Sequence, residues 1–360
     1  MARLTIDLTA LRHNYRLIAQ MVGANCKTAA VVKANAYGTG LTAAAQALQR
    51  EGCDLFFVAT LPEALELRTI IGDGPQIAML NGFDAHRAAL YTQNAIIPVI
   101  HDPASLKAYK TFGQSTNDQL PTILHLDTGI NRLGFDAKQS RDMLNDPRAF
   151  DGVDVLYLMT HFCSAEDTGT DSPARQFESF TALARLAPEV KISACNSAAL
   201  FRNQDWHGDM VRPGMALYGL NPTPDRPNPM RPVVRLEAEI LQIREAQNGE
   251  ACGYNETYRF DENTRLAVVS YGYADGFLRS LSNAGHLYWN GYACPVRGRV
   301  SMDLTIVELP DLPENDMPQA GDMMEIIGPH QSADDLAAQA GTIGYEILTS
   351  LSRRAERVYV

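Results

Sequence analysis

The chain is short of positive charge. Its 31 lysines and arginines face 42 aspartates and glutamates, a net charge of −11. That balance argues against nucleic acid or an anionic membrane as a partner. No stretch approaches the roughly 18 apolar residues of a membrane helix. The first seven residues place a charge among apolar ones and contain no apolar signal core, so no signal peptide is expected. The six cysteines, at 26, 53, 163, 195, 252 and 294, form no Cys-x-x-Cys pair. Scattered thiols fit a reducing cytoplasm better than a disulfide scaffold or a zinc site. No Gly-x-Gly-x-x-Gly follows the first apolar run, which weakens the case for a doubly wound dinucleotide-binding sheet. There is no low-complexity tract.

What is present is ordinary globular material: 360 residues, 46% hydrophobic and 20% charged, enough for two domains and a sizeable core. Eight short apolar runs occur at 29–33, 54–60, 76–80, 95–100, 121–127, 153–160, 191–195 and 210–212. They are too uniformly apolar for one-sided strands, so both faces should be buried. Helix-like stretches at 41–50, 62–71, 84–92, 103–112, 136–144 and 173–186 separate most of them, with Thr39 a candidate cap for the first. The pattern predicts an α/β fold beginning with a (β/α)8 TIM-type barrel. A proline-rich linker follows at 222–232. Beyond it the pattern alternates, with strands expected at 236–243, 266–271, 287–297, 304–308, 323–327 and 358–360 and one helix at 332–340. The expected division is a barrel domain over 1–228 and a mainly β C-terminal domain over 229–360.

Barrel active sites lie at the C-terminal ends of the strands, and the unusual residues gather there. Lys33 ends the first run in Val-Lys-Ala-Asn-Ala-Tyr-Gly, against an apolar wall that lowers its pKa and makes its amine a nucleophile toward aldehydes. Arg132 follows the fifth run, His161 the sixth, Asn196 and Ser197 the seventh, and Arg212 ends the eighth. Singly, each has a plain structural reading: solvated lysine, rim arginine, core histidine, helix cap. Together they converge on one face. Ser197 and Gly214 each open a helix, and helix N-termini with a hydroxyl bind phosphate well. A nucleophilic lysine facing a phosphate cradle is the pattern expected for pyridoxal 5'-phosphate.

The segment around Lys33 resembles the cofactor-lysine signature of alanine racemases. The Asp-Thr-Gly-x-x-Arg-Leu-Gly, Thr-His-Phe, Asn-Ser-Ala, Val-Arg-x-Gly, Gly-Tyr-Ala-Asp-Gly and Met-Asp segments of that family follow in order, over essentially the whole chain. The resemblance implies a cytoplasmic enzyme interconverting L- and D-alanine, with the D-isomer serving wall peptide. It also implies a homodimer with shared active sites. Lys33 would hold the cofactor and act as one base. Tyr254, from the partner subunit, would be the opposite base. A tyrosine's ordinary pKa is about 10, so such a base needs cationic neighbours. Tyr37, Ser197, Gly214, Met215 and Tyr345 match the phosphate-binding groups, with Asn196 beside them. His161 matches the residue beside the cofactor ring and Arg212 the one facing its nitrogen. Arg132 and the partner's Met302 N–H match the groups on the substrate carboxylate. Tyr273 and Asp303 match residues of the entrance.

Two positions depart from the family pattern. His125 stands where many members have a carbamylated lysine that orients the arginine. Histidine forms no stable carbamate, so Arg132 must find another acceptor, such as a bound anion. Ser301 stands where a cysteine is common, which removes a thiol near the site. Other readings are a racemase of serine, lysine or a broader set, a barrel decarboxylase, and a non-catalytic cofactor-binding barrel. Arg212 and Tyr254 argue against the decarboxylase, and the β-domain against the last.

Overall fold

A computed structural model describes residues 2–116 and 119–360 of the chain. Seven parallel strands lie side by side in chain order: Ala30–Val31, Leu55–Val58, Gln76–Met79, Ile96–Ile100, Leu120–His125, Val153–Met159 and Lys191–Ser193. An eighth, Met210–Val211, pairs in parallel with Lys27–Thr28, just before the first. Backbone bonds from Ala29 N to Val211 O (2.9 Å) and from Arg212 N to Cys195 O (3.0 Å) tie it to both sides and close the ring. Every residue of Leu55–Val58 and of Ile96–Ile100 is buried, as expected where helices cover the outside and side chains fill the inside.

Local chemistry starts the helices. Thr60 and Glu63 form a reciprocal capping box for Leu61–Ile71, with Pro62 in its first turn. Asp136 and Gln139 do the same for Ala137–Leu144. The expected cap at Thr39 is not made. The Thr39 hydroxyl donates back to Ala36 O, and Asn35 Oδ1 accepts the Leu41 N–H (2.8 Å) at the start of Leu41–Arg50. The stretch at 84–92 divides into a 3-10 turn, Ala85–Arg87, and a helix, Ala88–Gln93. A fifteen-residue helix, Leu8–Val22, capped by Asp7, had no place in the sequence reading.

The C-terminal unit is built on the long strand Val234–Ala246, which pairs with Ala2–Ile6, Met323–Ile327 and Thr264–Val269. Thr305–Glu308 extends it beyond Thr264–Val269. The run at 287–297 is not one strand but a hairpin, His286–Trp289 with Tyr292–Pro295. Asn290 and Gly291 turn it, with φ of +48° and +87°, the conformation an Asn-Gly hairpin requires. The expected first domain, 1–228, opens with a strand that belongs to this second sheet. Ala2–Ile6 lies between Val234–Ala246 and Glu356–Tyr359, with Ala2, Leu4 and Ile6 buried. A second helix, Gly344–Ser350, joins Ala333–Ala340. No helix among the described residues is long and apolar enough to cross a membrane.

Candidate active site

A cavity of about 580 Å³ opens at the C-terminal ends of the barrel strands. Lys33, Tyr37, Arg132, His161, Asn196, Ser197, Arg212, Gly214, Met215 and Tyr345 all line it, as does His125. Lys33 is half-buried at the start of a turn, not at the tip of a strand. The next four residues, Ala34 to Tyr37, have φ between +52° and +54°, so the chain coils left-handed for a full turn. Burial first, and then the Arg132 guanidinium, hold the Lys33 amine below the ordinary lysine range, while Glu63 opposes them.

Opposite the lysine is a cradle. Ser197 Oγ accepts the Gly214 N–H (2.9 Å) and the Ala216 N–H (3.4 Å). Having accepted twice, that hydroxyl has its own proton left to donate. Gly214 is required by space, because a Cβ there would stand 2.4 Å from the Tyr37 hydroxyl. The Tyr37 ring stacks on Tyr218 at 4.7 Å between centroids and leans on Tyr345 at 6.0 Å. The Tyr345 hydroxyl meets Met215 Sδ at 2.5 Å. Asn196 caps Ser197–Arg202, accepting from Ala199 N (3.0 Å).

Elsewhere the lining carries two arginines and two imidazoles among apolar residues such as Val31, Phe57, Leu80 and Met159. Arg212 is buried, and its two terminal nitrogens donate to Ser193 O (3.0 Å), Ser193 Oγ, Thr160 O (2.6 Å) and Ala194 O (3.3 Å). Burial lowers its pKa to about 10, so it stays charged at neutral pH. Burial, then Arg212, lowers His125 to about 4, and the same causes hold His161 well below its ordinary value. Both imidazoles are therefore neutral near pH 7. His125 Nε2 is buried without a partner among the described residues. Arg132 sits on a tight loop held by Asp127, whose Oδ1 accepts the N–H groups of Gly129 (2.9 Å), Ile130 (3.0 Å) and Asn131 (3.2 Å).

Tyr254, Tyr273, Met302 and Asp303 do not line this cavity. Tyr254 is 69% exposed, Met302 54% and Tyr273 43%. They stand on adjoining turns of the β-unit. Tyr273 N bonds to Ser301 O and Ala274 N to Met302 O. Gly272 presses on that backbone, where a Cβ would meet Met302 O at 2.4 Å. Arg354 ties Asp303 (2.9 Å) to the buried Asp275 (3.3 Å). A single copy of the chain thus carries two separate sets, a lined cavity and an exposed group of turns.

Family models describe both halves. The model for the alanine racemase N-terminal domain matches residues 6–222, and that for the alanine racemase C-terminal domain matches 233–359. The chain belongs to the alanine racemase family. A protein named "Alanine racemase, catabolic" from Mesorhizobium japonicum is 43% identical over 360 residues, all of this chain and 93% of that protein. An alanine racemase from Acidiphilium cryptum is 43% identical over 99% of this chain and 98% of its own. The crystal structure of alanine racemase from Bartonella henselae with covalently bound pyridoxal phosphate is 40% identical. It has a TM-score of 0.95 and covers 100% of this chain and 99% of that one. The (β/α)8 barrel with a β-domain, expected from the sequence, is therefore the fold of a racemase family.

Some site residues of this family member escaped the sequence reading. Glu63 was not singled out, although its capping box stands directly after a strand. Asp127 was quoted only as part of a motif, although its carboxylate folds the Arg132 loop.

Proposed function

We infer that the chain is a pyridoxal 5'-phosphate-dependent racemase that interconverts L- and D-alanine, using one base on each face of the substrate. The observation that carries this reading is the convergence of a desolvated lysine, a built anion cradle and a buried arginine on one cavity. The residues fit the cofactor. The side chains of Lys33, Tyr37, Arg132 and His161 line the cavity and have no hydrogen-bond partner among the described residues. They are donors and acceptors set out for a ligand.

When bound, the cofactor supplies an electron sink that acidifies the Cα–H of an amino acid. Lys33 would hold it through its amine. Ser197, Tyr37, Tyr345 and the backbone of Gly214 and Met215 would receive its phosphate, beside Asn196. His161 would lie beside its ring. Both terminal nitrogens of Arg212 donate to backbone and Ser193, and its buried guanidinium would hold a fixed positive charge against the ring nitrogen. Arg132 binds the substrate carboxylate. The Lys33 amine would take or give the Cα proton on one face. Tyr254 of a second copy serves the other face, and the Met302 N–H of that copy joins Arg132 on the carboxylate. Tyr273 and Asp303 of the second copy border the entrance. Exposure of Tyr254 and Met302 outside the cavity supports a homodimer with shared sites. His125 forms no carbamate, so Arg132 relies on another acceptor.

Six unpaired thiols support a cytoplasmic setting. D-Alanine made here serves wall peptide. The word catabolic in the names of three relatives supports a second use, conversion of D-alanine for breakdown. A deletion strain that needs D-alanine to grow indicates the first use. One that fails only on D-alanine as nutrient indicates the second.

The activity is tested by incubating purified protein with L-alanine, L-serine and L-lysine in deuterated water. The expected result is loss of optical rotation for alanine, with deuterium at Cα of both enantiomers. Carbon dioxide release would indicate a decarboxylase. Faster exchange of serine or lysine would move the substrate, and no exchange would indicate a binding module.

A further inference from the structure

The turn after Lys33 is costly. Left-handed helical backbone brings Cβ too close to the following carbonyl oxygen in L-residues, and four successive non-glycine residues adopt it here. Such a segment persists only where its surroundings over-determine it. Several groups hold its far end. Asn35 Oδ1 accepts from Leu41 N, and Gly40 N bonds to Asn35 O (3.0 Å). From the last strand, Arg357 donates to Gly38 O (3.2 Å) and the Tyr359 hydroxyl to Thr39 O (3.2 Å).

The near end, next to the lysine itself, is held by the backbone bond from Ala36 N to Val32 O (2.9 Å) and, among the described residues, by one side chain. Glu63 Oε1 accepts the Ala34 N–H at 2.7 Å. Its Oε2 accepts Ala59 N (2.8 Å) and Thr60 N (3.2 Å). One carboxylate therefore spans the ends of two adjacent barrel strands, and both oxygens are used. A helix cap needs only the Oε2 side. The Oε1 bond is surplus to capping, and it falls on the residue directly after Lys33.

We propose that Glu63 is a positioning residue for Lys33, fixing the first peptide of the left-handed turn and so the direction of the amine. The inference rests on the reading of Lys33 as the cofactor lysine. Its carboxylate is also the anion set against Arg132 around that amine. Geometry and charge make separable predictions. Losing the Ala34 bond lowers the limiting rate at which the free amine captures the cofactor. Losing the charge lowers the amine's pKa and shifts the midpoint of capture to lower pH.

The test uses full-length protein stripped of cofactor and given pyridoxal 5'-phosphate, with capture followed by visible absorbance across pH. Glu63→Gln presents one oxygen where two are needed. It is expected to lower the limiting capture rate by about tenfold or more, in line with the cost of small misplacements, and to move the midpoint toward acid. Thr60→Ala removes the cap but leaves the Ala34 bond, so it should lower stability and leave the capture rate within about twofold. Glu63→Asp keeps the charge and loses the reach. It should slow capture with little change of midpoint, and it stands in if the glutamine variant does not fold. Equal capture rates in Glu63→Gln and wild type, or equal losses in Glu63→Gln and Thr60→Ala, would overturn the proposal. If wild type captures no cofactor, the functional reading fails and this inference falls with it.

Discussion

Gly214→Ala perturbs the cradle through a single added atom. The backbone φ there is −122°, so the penalty is not the left-handed one. The new Cβ would stand 2.4 Å from the Tyr37 hydroxyl and 3.0 Å from its Cζ, where ordinary contact begins at 3.4 Å. The ring must move about 1 Å, and it is wedged against Tyr218 and Tyr345. Overpacking of this kind costs about 1–3 kcal/mol. If that cost falls on the cofactor-bound state, affinity for pyridoxal 5'-phosphate drops roughly 5- to 150-fold. Titration of stripped protein by visible absorbance measures it, with melting temperature alongside. Gly214→Ala combined with Tyr37→Phe should recover part of the lost melting temperature, because the atom met first is gone. Wild-type affinity and stability in the single variant would refute the reasoning, since the cradle would then be slack.

Four further outcomes follow from the same cavity. His125 is neutral and buried when folded, with a pKa of about 4 against an ordinary 6.5. The unfolded chain binds the extra proton first, so stability falls as pH drops from about 6.5 toward 4. The loss is on the order of 3 kcal/mol, and His125→Leu should flatten that part of an acid-denaturation curve. Intact mass in bicarbonate should show no carbon dioxide adduct on the native protein; an adduct mapped beside Arg132 would contradict the account of this position. Arg132→Leu removes a cation beside Lys33, so the lysine's pKa rises and the pH midpoint of cofactor capture moves toward alkali; an acid shift would be the wrong sign. Arg212→Glu replaces a buried donor with an anion facing three carbonyl oxygens and should cost on the order of 3–5 kcal/mol. Its folded fraction should also transaminate, because a carboxylate favours a protonated ring nitrogen and a stronger sink, and clean racemisation would rule that out.

The barrel was legible because parallel strands buried on both faces read as short apolar runs, and all eight runs became strands or strand ends. The cavity lining was legible for a related reason. Polar residues at or within a few residues of the ends of such runs, Arg132, His161, Ser197 and Arg212 among them, gather at the strand ends. Less legible was whatever long-range contact decides. Ala34 to Tyr37 coil left-handed against their own preference, held by Glu63, Arg357 and Tyr359, which lie far along the chain. Ala2–Ile6 is too short to declare which sheet it joins, and a partner more than 200 residues away settles it. Asn290-Gly291 is different. Its hairpin signal was local and present, and the flanking apolar residues masked it.

The central claim is that Lys33 meets Tyr254 only across two copies of the chain. Lys33→Ala should capture no cofactor, and Tyr254→Phe should capture it and still fail to racemise. Two differently tagged chains, one carrying each change, can be co-expressed and the mixed dimer isolated. Each mixed dimer holds one site with both native bases and one with neither. Statistical pairing therefore predicts about a quarter of wild-type alanine racemisation in the unsorted mixture, and about half in the purified mixed dimer. Activity no higher than that of either parent would contradict the account, because it would place both bases within one chain.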